Sequence, residues 1–388
     1  MIAEAAVHKQ RREAGHAADA WDMWLMTSVL ALLGLGAVMV YSASVSGAER
    51  ATGNGAYYLM RHAVHIVLGL LAMSLVMRSR LRHWERAGPY FLLTGIALLV
   101  LVLLPGIGVH INGSTRWIRL GTINLQPSEL VKVFVVVYVA GYLVRKQAVL
   151  PNFVPGILMI GLVVGVIGLL LLRQPDLGTM VVICLTILGM LFLGGVRLGH
   201  FLVIVAAGVA GMAMLTLASP YRFERVTGFL NPWADPFNSG FQLVQALIAF
   251  GRGEWFGVGL GASVQKLFYL PAAHTDFILA VLAEELGLVG VLLVIALFAV
   301  LILRSFLIAR QAEQAGHVFA ARLAQGIGLL FAVQSLINMG VNMGMLPTKG
   351  LTLPFMSYGG SSMLASCIAV GLLLMVEREV RLHSWGRR

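Results

Sequence analysis

Ten long apolar stretches, parted by short polar breaks, set the terms for this chain of 388 residues. They run over roughly 23–43, 61–77, 89–107, 128–144, 153–172, 177–194, 198–218, 277–303, 320–343 and 353–376. Each approaches the ~20 residues with which a helix crosses a hydrocarbon core; barrel strands would be about half that length and alternate in polarity. Charged residues make up 12% of the chain, against roughly 25% in soluble domains. The expected fold is therefore an all-α polytopic membrane protein with ten transmembrane helices. A single membrane domain would span 22–377, between short tails at 1–21 and 378–388. The first stretch follows a polar segment and lacks a small-residue cleavage site, so it reads as a span and not as a signal peptide. Cys184 and Cys367 fall inside spans, where packing is their expected role.

The net charge of +11 does not point to nucleic acid, because its distribution follows the spans. With the N-terminus inside, 17 basic residues fall in short segments on one side and ten on the other. Four of those ten lie in one long loop, where the positive-inside rule weakens. Both termini are then cytoplasmic. Four segments face outward: 108–127, 173–176, 219–276 (the long loop between helices 7 and 8) and 344–353. ATP and nicotinamide cofactors are unavailable on that face, and the sequence has no Walker or dinucleotide glycine pattern.

The polar residues of interest sit in those outward segments. Asp276 ends a polar turn that runs straight into the eighth span, which places a costly carboxylate at a membrane rim. Glu129 and Lys132 follow Pro127 at the start of the fourth span. They suit an N-terminal capping acid with an i,i+3 ion pair, although a lysine one turn inside a span needs a partner or ligand. Trp117 reads either as an interfacial belt aromatic or as a platform for a sugar ring. Asp176 has the position of an N-cap. Arg222 and Arg225 could hold phosphate or be solvated charge. Amphipathic 241–250 could lie on the membrane or cover a groove. At helical spacing Ala280, Ala283, Gly287 and Gly290 share the face of Asp276, as a packing stripe or a lipid slot. Glu284 and Glu285, two turns deeper, read as a structural pair. Asn338 and Asn342 end the ninth span at i,i+4 spacing. The proline- and glycine-rich stretch after it carries Lys349 and six hydroxyls, Ser361 among them, and suits an anion such as pyrophosphate.

Taken in order, Trp117-Ile-Arg-Leu-Gly, Gln126-Pro-Ser-Glu, Gln174-Pro-Asp-Leu-Gly, His274-Thr-Asp-Phe, Glu284-Glu-Leu-Gly and Ser357-Tyr-Gly-Gly-Ser-Ser resemble the SEDS family (shape, elongation, division and sporulation) along nearly the whole chain. Lys349 within Pro347-Thr-Lys-Gly-Leu-Thr-Leu-Pro is more similar to the cell-division branch than to the elongation branch. The resemblance implies a ten-helix peptidoglycan glycosyltransferase of the bacterial inner membrane at the division septum. Its substrates would be lipid II and the undecaprenyl-pyrophosphate-linked glycan. Its partners would be a class B penicillin-binding protein (an FtsI-type transpeptidase) and other membrane proteins of the division machinery. Asp276 would be the general base, with Glu129, Lys132 and Asp176 at positions tied to activity. Trp117, Arg222, Arg225, Lys349 and Ser361 would contact substrate. A divalent cation, Mg2+ or Mn2+, could assist the leaving group, yet no ligand cluster is visible. Family members commonly carry glutamate where this chain has Ala272. A lipid II flippase and a non-catalytic scaffold are the competing readings; a flippase would string its charges along a transmembrane path instead of at one rim.

Overall fold

A computed structural model describes residues 22–111, 113–121, 123–150, 152–238, 240–267 and 269–386. Twelve α-helices form there: α1 (Met23–Thr52), α2 (Tyr57–Arg78), α3 (Leu81–Leu103), α4 (Pro127–Arg145), α5 (Phe153–Arg173), α6 (Leu177–Leu193), α7 (Leu198–Leu217), α8 (Pro220–Leu230), α9 (Phe241–Gly253), α10 (Ile278–Gln314), α11 (Val318–Asn342) and α12 (Gly360–Gly386). Among the described residues, nine helices are long and apolar enough to cross a membrane, and α6 is a shorter apolar tenth of 17 residues. These ten fall on the ten predicted stretches. The expected tail at 1–21 lies outside the described residues.

Local chemistry sets the helix ends. Asp22 caps α1, its carboxylate accepting the Leu25 amide at 3.0 Å. Pro127 and Pro220 open α4 and α8, where a missing N–H costs nothing. Asp176 caps α6 through Thr179. The Arg304 guanidinium on α10 pairs with Asp22, so the start of α1 and the far half of α10 share one end of the bundle, as the predicted topology requires. In the interior α12 runs beside α2, α10 beside α11 and α1, and α4 beside α3 and α11.

Three features depart from the sequence reading. The expected fold is all-α, but the outward segment 108–127 folds into an antiparallel sheet of β1 (Gly108–Ile111), β2 (Ser114–Leu120) and β3 (Ile123–Leu125), in the order β1-β2-β3. The last span starts at Gly360 and not at 353, because the prolines and glycines before it break the helix; it then continues to Gly386 through most of the expected C-terminal tail. And α10 is broken at Gly287, whose φ of 65° and ψ of −164° interrupt the helix.

That break explains the small-residue stripe. Residues Ile278 to Glu285 of α10 are all buried, and α9 packs across them. A Cβ at Gly253 would strike the Ala283 carbonyl, and one at Gly257 the Glu285 carbonyl. Main-chain bonds from Val258 to Glu284, Gly259 to Glu285, Leu288 to Glu254 and Val289 to Trp255 stitch segment 254–259 to the break. The stripe is thus close packing, and α9 lies inside the bundle with Leu243, Val244, Ala246 and Ala249 buried.

Glu284 and Glu285 are anchored by the same segment. Arg252 donates to Glu284 at 3.0 Å, and the main-chain amides of Val264 and Gln265 add two more bonds. Lys266 donates to Glu285 at 2.7 Å, and Ser42 of α1 donates to the same carboxylate at 2.6 Å. The expected structural pair is two charge-paired acids, whose partners come mostly from the long loop.

Candidate active site

The four outward segments converge at one end of the bundle around a cavity of about 900 Å³. Asp276, Thr275 and Ala272 from the long loop line it, with Arg116, Trp117 and Glu129 from β2 and α4. Arg225, Lys349 and Gly350 complete that side. A smaller cavity of about 250 Å³ adjoins it, lined by Asp176, Gly178 and Ser219 and sharing Arg116, Arg225, Lys349 and Gly350 with the first. Gly350 sits against the Asp276 carboxylate, and a Cβ there would come within 3.2 Å of Oδ2. Asp276 therefore stands where the two cavities meet.

The main chain at Asp276 is fixed from three directions. Asn338 and Asn342 of α11 each donate to its carbonyl at 3.0 Å. Ser357 donates to the Thr275 carbonyl, and the Tyr358 amide donates to the His274 carbonyl at 2.9 Å. Before it, the Ala272 carbonyl accepts from the amides of Thr275 and Phe277, closing a turn in which Ala272 has a φ of 57°.

The carboxylate itself is only partly exposed, to the cavity. Burial pushes its pKa up to about 6; Arg116 and Arg225 pull it down, while Asp176 and Glu129 push it further up. Proton uptake near neutral pH is what a general base needs. Burial also lowers the pKa of the neighbouring His274 imidazole.

The remaining predicted residues divide by location. Trp117, Glu129, Arg225 and Lys349 line the main cavity with Asp276, and Asp176 lines the smaller one. Glu129 and Lys132 form a buried pair at 2.9 Å, and Lys132 also donates to Gln334 at 2.7 Å, whose amide donates to the Thr352 carbonyl. Lys132 thus ties α4 to α11 and the proline-rich stretch from behind the cavity. Ser361 accepts the Gln126 amide at 2.8 Å, stapling α12 to the entry of α4. Arg222 is on α8, but its side chain lies outside what the structure describes.

Sequence reasoning passed over Arg116, which donates to the Gln174 carbonyl at 3.3 Å and sits 3.7 Å from Asp176. Its signal was its place next to Trp117 in a segment already marked as outward. It also passed over Tyr358, whose ring lines the cavity wall.

A divalent ion does not fit the acids present. Among the described residues no group of three or more His, Cys, Asp or Glu side chains is placed to hold a metal. Asp176 is engaged by Ser128 at 3.1 Å and Thr179 at 2.9 Å, and Glu129 by Lys132.

A helical membrane protein whose polar end carries Asp276 and Glu129 in one cavity defines a class, and comparison with known proteins places it. The chain belongs to the FtsW/RodA/SpoVE cell cycle protein family, whose model matches residues 23–382. It is 56% identical to a probable peptidoglycan glycosyltransferase FtsW of Nitrosococcus halophilus over 97% of each chain. It is 51% identical to the protein of that name from Pseudomonas fluorescens, over 93% of this chain and 89% of the other. Among solved structures, a chain of a peptidoglycan synthase complex that coordinates polymerization and crosslinking superposes with a TM-score of 0.77 at 29% identity, over 93% of this chain and 99% of the other. The rod shape determining protein RodA of Thermus thermophilus gives 0.68 at 28% identity, over 93% and 98%.

Proposed function

We propose that this chain is a peptidoglycan glycosyltransferase that polymerises lipid II into glycan strands during septal wall synthesis. The observation that carries the reading is Asp276, a carboxylate with its pKa raised to about 6 at the junction of two outward cavities, beside Arg116, Arg225 and Lys349. The acceptor's 4-hydroxyl oxygen attacks C1 of the donor sugar and gives its proton to Asp276. The bond from C1 to the undecaprenyl pyrophosphate breaks, and its electron pair leaves on the pyrophosphate oxygen. Arg116, Arg225 and Lys349 stabilise the charge developing there, and the paired guanidinium forks suit phosphate oxygens. Trp117 supplies a face for a sugar ring.

Transfer to a separate transpeptidase follows from the product, an uncrosslinked strand on the outer face. The partner in this reading is a class B penicillin-binding protein of the FtsI type, within the division machinery. A flippase would need charges along a transmembrane path. Asp276, Glu129, Asp176, Arg116, Arg225 and Lys349 instead gather at one rim, while Glu284, Glu285, Asp22 and Glu377 elsewhere in the bundle are already paired with basic side chains, which favours the enzyme.

The test is polymerisation of labelled lipid II by purified protein with its transpeptidase partner. Wild type makes polymer and Asp276→Ala makes none. Polymer from the mutant would refute the catalytic assignment; lipid II translocation by wild type with no polymer would favour transport.

A further inference from the structure

Polymerisation of this kind joins two lipid diphosphates, so the cavity must accommodate two such groups. The donor's diphosphate leaves from the reacting C1. The acceptor's diphosphate hangs from the other sugar of its disaccharide, a full unit away from the 4-hydroxyl. Only the first therefore belongs within charge range of Asp276. Arg116 and Arg225 are the cations whose charge reaches that carboxyl, and they line the junction with Lys349.

A different wall of the same cavity is built by α2 and the start of α12. Arg61 and His65, one turn apart on α2, line it together with Tyr358, Gly359 and Gly360. Arg61 is held in place by the Tyr57 hydroxyl at 2.7 Å, with its guanidinium 5.6 Å from that ring's centre. Tyr358 is held by Tyr58, His274 and His65, with ring centres 5.3, 5.7 and 5.9 Å away.

His65 packs against Gly360, where a Cβ would come within 2.8 Å of its Nε2, so glycine is what admits the imidazole to the mouth of the helix. Its Nδ1 is buried with no hydrogen-bond partner among the described residues. The first-turn amides of α12 beside it have no acceptor within the helix and carry the positive end of its dipole.

We propose that Arg61, His65 and the amino end of α12 form a second diphosphate subsite, which holds the acceptor lipid's diphosphate while Asp276 works on its distal sugar. The assignment to the acceptor rests on the glycosyltransferase reading; the subsite itself does not.

The full chain in detergent micelles is titrated calorimetrically with farnesyl diphosphate, and with phosphatidylglycerol as a competing anionic lipid. Wild type binds two equivalents of the diphosphate. Arg61→Ala and His65→Ala each keep one, and Lys349→Ala keeps the other. Arg61→Lys, which retains charge but not the fork, weakens the second site by about tenfold and serves where Arg61→Ala does not fold. One equivalent in wild type, two undiminished equivalents in Arg61→Lys and His65→Ala, or displacement by phosphatidylglycerol at equal concentration would each overturn the subsite. Because binding needs no turnover, a wild type that binds two diphosphates but makes no polymer would sink the glycosyltransferase reading alone.

Discussion

The side-chain amide of Asn342 donates to the main-chain carbonyl of Asp276 at 3.0 Å, although the two residues are 66 positions apart in the chain. The Asn342 carbonyl oxygen in turn accepts the Ala280 amide at 3.2 Å, one turn into α10. Asn338 reaches from Asp276 to the Leu351 carbonyl at 2.6 Å. The catalytic candidate is therefore held by α11, which joins the long loop, the head of α10 and the proline-rich stretch. Its position does not depend on the loop's own rigidity.

Asn342→Ala should loosen this arrangement. It leaves the buried Ala280 amide without a side-chain partner and removes one of two donors to the Asp276 carbonyl. Both groups keep a second partner, the Phe277 carbonyl for the Ala280 amide and Asn338 for the Asp276 carbonyl, so the cost is that of the lost hydrogen bonds, about 1 kcal/mol each. Thermal unfolding in detergent should show a lower midpoint, and polymerisation should lose kcat more than it gains KM. An unchanged midpoint together with unchanged kcat would show that the contact carries no strain-bearing role.

The rate should follow ionisation of Asp276. A base with a pKa of about 6 is protonated and idle below that pH and active above it, so kcat/KM rises with pH through about 6 and then levels. Arg116 lowers that pKa, so Arg116→Gln should move the acid limb to higher pH as well as slow the reaction. The check is a pH–rate profile with labelled lipid II, and the position of the limb is the quantity read, whatever the height of the plateau.

Lys266 and Glu285 offer a separate test of the fold. Both are buried, and Lys266→Met would leave an uncompensated carboxylate beside Ser42. Removing one partner of a buried pair costs about 3–5 kcal/mol, whereas replacing both with apolar residues is often near neutral. Lys266→Met should depress the melting midpoint strongly, and adding Glu285→Leu should recover much of the loss. Proteolysis between 251 and 267 should track the same order, because this segment is fastened to the break at Gly287.

What was legible in the sequence is what hydropathy and local rules encode. Runs of apolar residues located the helices, Pro127 and Asp176 marked helix starts, and Asp276 stood out because an acid beside hydrocarbon is costly. What was not legible depends on distant pairing. The sheet over 108–125 has only short strands, with too little alternation to announce itself. The break at Gly287 arises because segment 254–259 competes for the helix's main-chain groups, and periodicity within α10 carries no trace of that. Arg116 gained significance only when β2 carried it to Asp176, and Ser361 proved to be a staple because Gln126 folded against it.

Ala272, where the family resemblance implies a glutamate, makes the sharpest prediction. Its φ of 57° is left-handed, a region that costs an L-residue about 1–2 kcal/mol, so Ala272→Gly should raise the melting midpoint slightly. Ala272→Glu should do the opposite to stability and something more informative to catalysis. Residue 272 lines the main cavity with Asp276, so the new carboxylate adds a like charge to the same space. A neighbouring negative charge disfavours ionisation of Asp276 and raises its pKa above about 6. The acid limb of the pH–rate profile should then shift to higher pH in Ala272→Glu but not in Ala272→Gln, which has nearly the same size without the charge. Coincident limbs in the two variants would mean that residue 272 does not act on Asp276 through its charge.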